Sequence, residues 1–360
     1  MFSDLFYIIS ISFIGIYLFS YFFQTRNNKK YQLNDETFKR HDITVIIPFR
    51  NEEKNLPQLI KSINKLIALP PKFVFIDDHS EDESRKCFND LNSNIRYELL
   101  VLNKNEKGKK QAIRKALLNV ETDYFLTWDA DITVPSDYFI ALEKITQSDL
   151  VILPVIMKSK KISHFFYELD YYFINAISYG LSPILRPIVA SGANLLINKA
   201  KFNHIDSYEN HKLIASGDDM FTLVDFKNNN FGISNYLNSK LAVSTYTPLN
   251  FKEFIHQRCR WSKKTIHVRD LAAICIGLLG LFIQLSFLFA LFFEKNSFQF
   301  FMLFIVKFCA DFLILFPYCF KIRRVQVLLF LPLFSIIQPI YLLFLPVVSI
   351  FIKPQWKNRT

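Results

Sequence analysis

Asp129 and Asp131 flank Ala130 at the end of a β-rich run, Tyr124–Thr127. Alternation along an extended chain turns both carboxylates to one side and the alanine to the other. Two hard oxygen donors of this kind suit Mg2+ or Mn2+, which still needs phosphate oxygens to complete its shell. Such an ion would neutralise charge building on a departing diphosphate. The competing reading is a pair of acids capping the helix that Pro135 starts. A second acidic pair, in Gly217-Asp218-Asp219, stands before the apolar run Met220–Phe226. Either acid there can cap the helix, or act as a base toward an acceptor hydroxyl at the edge of the same site. Gln257, Arg260 and Trp261 fall on a basic segment next to an apolar stretch. An arginine so placed can stabilise a diphosphate, and an indole can offer an apolar platform to a sugar ring. The structural alternative is an interfacial tryptophan among lipid-binding cations.

The elements that must position these groups lie between 43 and 153. Ile43–Ile47, Phe73–Ile76, Tyr97–Val101, Tyr124–Thr127 and Leu150–Leu153 read as strands, alternating with helices near 53–67, 81–90, 108–119 and 136–147. That alternation predicts an α/β fold with a doubly wound, mostly parallel sheet. Such sheets bind ligands at the carboxyl ends of their strands. Polar clusters fall at those ends: Pro48-Phe49-Arg50-Asn51-Glu52, Asp77-Asp78-His79-Ser80 and Trp128-Asp129-Ala130-Asp131. The chain contains neither GxGxxG nor GxxxxGK[ST], so dinucleotide and P-loop readings lose their main support.

The apolar residues are concentrated at the two ends of the chain. Residues 5–23 run almost without charge, and stretches at 271–293, 298–320 and 325–352 follow, each long enough to cross a bilayer as a helix. A cleaved signal peptide is the other reading of the first, but it lacks a basic n-region and a small-residue cleavage site. Arg26, Lys29, Lys30, Lys39 and Arg40 follow the first stretch, Arg258, Arg260, Lys263, Lys264 and Arg269 precede the second, and Lys321, Arg323 and Arg324 separate the last two. The positive-inside tendency puts these clusters and residues 24–270 in the cytoplasm, in a multi-pass plasma-membrane protein. Pro332, Pro339 and Pro346 make the last stretch either a kinked span or a re-entrant hairpin. The 43 basic against 32 acidic residues cluster beside the spans, so anionic lipid headgroups and a phosphorylated donor are the expected partners rather than nucleic acid. Cys87, Cys259, Cys275, Cys309 and Cys319 make no metal-ligand spacing and read as reduced thiols. Residues 162–189, aromatic-rich and interrupted by Pro183 and Pro187, read as an interfacial helix, as does 250–268; burial against the soluble core is the alternative. Lys307 and Asp311, four apart in an apolar stretch, read as a mutual ion pair.

Taken in order, the segments Val45-Ile46-Ile47-Pro48-Phe49-Arg50-Asn51-Glu52, Asp77-Asp78-His79-Ser80, Gly108-Lys109, Asp129-Ala130-Asp131, Ser191-Gly192-Ala193-Asn194, Gly217-Asp218-Asp219 and Gln257-Arg258-Cys259-Arg260-Trp261 resemble family 2 glycosyltransferases of the GT-A fold. In pattern they look like the membrane-bound D, D, D, QxxRW branch, which includes cellulose, hyaluronan and chitin synthases and ceramide glucosyltransferase. The resemblance covers residues 43–265. It implies that Pro48, Glu52 and Asp78 hold the nucleoside with Asp77 beside them. Lys109 would approach the donor phosphates, with its alignment among Lys107, Lys109 and Lys110 open by two positions. Asp129 and Asp131 would bind diphosphate and metal, and Asp219 would match the general base. Arg260 would lie on the diphosphate, while Asn194, Asp218, Gln257 and Trp261 would line the acceptor side. Asp218 stands where the family usually has Glu.

The expected organisation is a first transmembrane helix at 1–24, a GT-A domain at 25–249, an interfacial helix at 250–270, a transmembrane region at 271–352 and a basic tail at 353–360. The resemblance implies an inverting transferase moving a sugar from a nucleotide-diphosphate donor, UDP-sugar first among candidates. One apolar segment before the domain and three after it make a small bundle, too small to enclose a wide polar pore alone. A membrane lipid or lipid-linked saccharide is therefore the favoured acceptor. A processive polysaccharide synthase is the alternative, and a non-catalytic membrane scaffold of the same fold is the reading from another class.

Overall fold

The computed structural model of the chain describes residues 2–30, 36–205 and 218–351. Gly217 and the basic tail from residue 353 therefore lie outside the described residues. The chain forms two compact units: residues 27–156 with 190–246, and residues 1–26 with 157–189 and 247–360.

In the first unit, seven strands make one sheet: β1 (Ile43–Phe49), β2 (Lys72–Asp77), β3 (Tyr97–Val101), β4 (Tyr124–Trp128), β5 (Leu150–Ile152), β7 (Asn194–Asn198) and β8 (Ile233–Asn235). β6 (Val155–Lys158) and β9 (Val243–Tyr246) lie outside it. The order is β3-β2-β1-β4-β7-β5-β8. Neighbours are parallel except that β7 runs antiparallel to both β4 and β5. β1 and β4 are buried along their whole lengths, as expected of apolar runs covered on both faces, whereas β3 at the edge is only partly buried and carries Glu98.

From β1 the chain winds outward through β2 to β3, then returns to lay β4 on the other side of β1. A crevice opens where such a sheet reverses direction, at the carboxyl ends of the two strands. Pro48 sits at that end. Pairing of β1 with β4 stops at Ile46↔Thr127, while pairing with β2 continues to Phe49↔Asp77, so Pro48 falls where the β4 ladder has already ended. The core beneath includes Ile46, Val74, Ile113, Phe125, Leu195 and Phe226. The expected helices form over Leu56–Ile63, Lys109–Leu117 and Tyr138–Leu142, shorter than the apolar pattern implied. The segment expected as a helix at 81–90 is a 3-10 helix, Glu83–Asp90, capped by Asp82 through the Ser84 amide. Its charged sequence buries only Ser84 and Phe88, too little apolar surface to hold a regular α-helical face.

Among the described residues of the second unit, four helices are long and apolar enough to cross a membrane: Ser3–Arg26, Leu271–Phe293, Ser297–Lys321 and Val325–Ser349. Asp270 and Asn296 cap the second and third through side-chain oxygens. The last segment is not a hairpin. A 3-10 turn, Val325–Phe330, runs directly into the helix Leu331–Phe351, which contains Pro339 and Pro346. Pro332 lies in its first turn, where the missing N–H costs nothing.

Packing around these helices is aromatic. Tyr17 reaches across to Gly180 of the helix Phe165–Leu185, donating from Oη to the Ile314 carbonyl at 3.2 Å. A Cβ on Gly180 would fall 2.2 Å from the Tyr17 ring, so this crossing requires glycine. The helix Phe165–Leu185, read from sequence as interfacial, buries much of its length within this unit; Phe166 and Phe173 meet Phe334, and Tyr172 meets Tyr318. Its fully buried Glu168 accepts three hydrogen bonds from the Arg324 guanidinium, at 2.6, 2.7 and 3.1 Å, and one from the Ser159 amide at 2.7 Å. A carboxylate so enclosed persists only because it is paired and fully hydrogen-bonded. The Lys307–Asp311 pair forms, with Nζ 2.6 Å from both carboxylate oxygens, and extends to Gln338 and Ser335. All five cysteines are free thiols.

Candidate active site

The carboxyl ends of β1, β2 and β4 bring together the first unit's polar clusters. After β2, Asp77 and Asp78 part in opposite roles. Asp77 is fully buried, accepting from the Ser80 amide at 2.8 Å and from Arg85 Nε at 2.5 Å, so its carboxylate is occupied in shaping the loop. Asp78 Oδ2 accepts the Gly108 amide at 3.0 Å, and its backbone carbonyl accepts Arg50 Nη1 at 3.1 Å. Burial raises the Asp78 pKa, opposed by the Gly108 N–H and by Arg50. Glu52 is buried as well; its amide donates to Ser84 Oγ at 2.7 Å and its carboxylate accepts Asn55 Nδ2 at 2.6 Å.

Gly108 has φ +91°, a conformation that side chains resist, and it starts the helix Lys109–Leu117. This turn decides which lysine enters the site. Lys107 is exposed and Lys110 is buried with Nζ 4.7 Å from the Phe221 ring centroid. Lys109 Nζ instead lies 2.6 Å from Asp129 Oδ1, 3.3 Å from the Gly192 carbonyl and 3.5 Å from Asp218 Oδ2. Burial alone would lower the Lys109 pKa, but Asp129 and Asp218 outweigh it and hold the amine above the ordinary lysine value. The ammonium thus ties the end of β4 to the start of the helix Asp218–Asn228.

Just past the end of β4, in a turn, Asp129 is partly open, Ala130 is buried and Asp131 is exposed. Asp131 Oδ2 accepts Thr245 Oγ1 at 3.1 Å. Asp219 Oδ2 accepts the Gly192 amide at 3.3 Å. Among the described residues no three His, Cys, Asp or Glu side chains gather as a metal cage. Two carboxylates, Asp129 paired on one oxygen with Lys109 and Asp131 exposed, are the kind of hard oxygen donors that fit Mg2+ or Mn2+, which keeps several non-protein ligands.

One expectation is corrected. Asn194 does not face an acceptor: it is fully buried, its amide donates to the Pro154 and Leu241 carbonyls at 2.8 Å each, and its oxygen accepts Tyr138 Oη at 2.6 Å. A buried carboxamide has to satisfy these groups inside the fold. Tyr138 and Arg85, which hold Asn194 and Asp77, gave no signal in the sequence, since both lie outside the polar clusters. Gln257, Arg260 and Trp261 belong to the other unit, on the helix Phe251–Val268 that Asn250 caps through the Glu253 amide. Arg260 is half-buried, and the Trp261 ring lies 5.8 Å from that of Tyr171.

Residues 44–202 match the family model for glycosyl transferase family 2. Over 102 residues the chain is 30% identical to the undecaprenyl-phosphate 4-deoxy-4-formamido-L-arabinose transferase of Enterobacter sp. (strain 638), covering 27% of this chain and 31% of that protein. Over 97 residues it is 33% identical to the dolichol-phosphate mannosyltransferase of Pyrococcus furiosus, covering 26% of this chain and 27% of the relative. The chain thus spans about a third or less of the length of these curated relatives. Among solved structures it is similar to a mannosyltransferase from Pyrobaculum calidifontis in complex with GDP-Man and Mn2+, with a TM-score of 0.48 and 12% identity over 93% of this chain and 99% of that one. The parallel β3-β2-β1-β4 core with flanking helices is a GT-A-like sheet, and residues 44–202 within it are similar to glycosyl transferase family 2.

Proposed function

We propose that the protein is an inverting glycosyltransferase that moves a sugar from a nucleotide-diphosphate donor, UDP-sugar first among candidates, onto a membrane lipid or lipid-linked saccharide. The observation that carries this reading is the gathering of Asp129, Asp218 and Gly192 around Lys109, with Asp219 on the Gly192 amide, at the switch point of the sheet.

In this reading Pro48, Glu52 and Asp78 border the nucleoside, Asp77 shaping their loop from behind. Lys109 holds the diphosphate, charge-assisted contacts being the strong ones for phosphate oxygens, and the family resemblance assigns Arg260 to the diphosphate as well. Asp129 and Asp131 would hold Mg2+ or Mn2+, which when bound supplies charge neutralisation on the leaving group. Asp219 takes the proton from the acceptor hydroxyl as its oxygen forms the new bond to the anomeric carbon. The bond to the diphosphate breaks on the opposite face, so the anomeric centre inverts. Asp218 orients the acceptor in the first unit, and the family resemblance assigns Gln257 and Trp261 to the acceptor as well.

The acceptor class is supported by two considerations. The matched relatives are named for undecaprenyl phosphate and dolichol phosphate, both polyisoprenoid lipid phosphates. Among the described residues the four candidate spans form a small bundle, poorly suited to enclosing by themselves the polar channel that a processive synthase needs. The protein is read as an integral, multi-pass plasma-membrane protein with its GT-A domain in the cytoplasm and its basic span boundaries on anionic headgroups. A scaffold without catalysis has no use for the retained acids. Mass analysis of products made with membrane lipid tests the acceptor: lipid carrying one added sugar is expected, and a ladder of long polymer would overturn the lipid reading in favour of a synthase.

A further inference from the structure

Arg258 lies between Gln257 and Trp261 in the helix Phe251–Val268, yet it is 4% exposed. Every arm of its guanidinium is engaged. Nε forms an ion pair with Asp170 Oδ2, Nη2 donates to the Tyr167 carbonyl at 3.2 Å and Nη1 donates to Gln257 Oε1 at 2.7 Å. The flat face of the group is covered too: Cζ lies 4.6 Å from the Phe254 ring centroid and 4.3 Å from that of Trp261. Planar stacking with a forked donor set is geometry that arginine provides and lysine does not.

The consequence for Gln257 is chemical. Arginine has donors and no acceptor, so the atom facing Nη1 must be the carboxamide oxygen. The Gln257 NH2 group is thereby turned away from Arg258. We infer that Asp170 and Arg258 form a positioning clamp that presents Gln257 as a hydrogen-bond donor and fixes the indole plane of Trp261. This rests on the proposed role of Gln257 and Trp261 at the acceptor, and it extends that role to two residues that bind no substrate themselves. A ligand group met by Gln257 would then be an acceptor oxygen, of a hydroxyl or a phosphate.

The test uses the full chain in detergent or bilayer discs and has two arms. In the first, acrylamide quenching of Trp261 is obtained as the difference between proteins with and without Trp261→Phe. Asp170→Asn and Arg258→Lys should both raise that quenching, and Asp170→Glu should restore the wild-type value. In the second, Asp170→Asn should lower kcat by about 10²-fold, the scale of an ångström-level misplacement, with donor KM unchanged. Combining it with Gln257→Ala should cost less than the product of the two separate losses, because part of its effect runs through that group. Gln257→Glu, which can only accept, should be as poor as Gln257→Ala. Unchanged quenching, or losses that multiply in the double variant, would overturn the clamp. Absence of turnover in the wild type would instead defeat the transferase reading, and the quenching arm would still decide the clamp. If Asp170→Asn does not fold, Arg258→Lys, which keeps the charge on Asp170 but loses the fork, carries both arms.

Discussion

Lys109 Nζ stands 2.6 Å from Asp129 Oδ1, so the acid cluster at the sheet's carboxyl edge contains its own cation. Lys109→Met leaves Asp129, Asp218 and Asp219 facing one another without it. The expected result is a loss of about 1–3 kcal/mol of stability, the scale for hydrogen bonds to charged groups, together with weaker nucleotide-diphosphate binding. Because the folded Lys109 pKa is raised, its contribution is fully present below the ordinary lysine value of 10.5 and is lost only as pH rises through the higher folded value. The stability difference between wild type and Lys109→Met should therefore owe nothing to lysine titration between about pH 6 and 9. Thermal unfolding across that range checks it.

Asp219→Asn removes the proposed base while keeping the shape and the oxygen that accepts the Gly192 amide. Transfer should fall by about 10²–10⁴-fold, the usual worth of a general base, with nucleotide affinity nearly unchanged. Calorimetric titration with nucleoside diphosphate beside turnover checks the split. A matching loss of affinity would argue against Asp219 as base.

Asp78→Asn separates stability from binding. Burial raises the Asp78 pKa, so its folded state favours the protonated form. A raised pKa contributes stability that is present below the ordinary value of 3.8 and is lost as pH rises through the folded value. At neutral pH the charged carboxylate is therefore a burden, and Asp78→Asn, whose oxygen can still accept the Gly108 amide, should melt at or above the wild-type temperature. At pH near 4 the gain should shrink. Donor affinity should fall despite the firmer fold; melting curves at both pH values and nucleotide titration check the pair.

Gly180→Ala places a methyl group 2.2 Å from the Tyr17 ring. Overpacking of this kind costs about 1–3 kcal/mol. Unfolding in detergent should report it, and Tyr17→Leu in the same chain should return part of the loss by vacating the space.

Much of the sheet was legible because β1, β2 and β4 are apolar runs ended by polar clusters, although Asp129 and Asp131 stand in a turn past β4 rather than on the strand. What the sequence hid depends on contacts between distant segments. The choice of Lys109 over Lys107 or Lys110 follows from the backbone at Gly108, which no local pattern reports. Asn194 reads as one more polar residue of a loop until Tyr138, 56 positions earlier, is seen to hold it inside the fold. Asp170 and Arg258 are 88 positions apart, and nothing local to either marks the other as its partner. The prolines of the last segment suggested a break, yet Pro332 occupies a first turn and the helix continues through Pro339 and Pro346. The limits of the helix at 81–90 were misread for another reason: its charge pattern supports a capped 3-10 turn as readily as an α-helix.

The most direct test of the central claim is release of nucleoside diphosphate by the purified full chain, supplied with Mn2+, total membrane lipid and a panel of sugar nucleotides. Release from one or a few donors is expected, lipid-dependent and lost in Asp219→Asn. No release from any donor in the panel would contradict it.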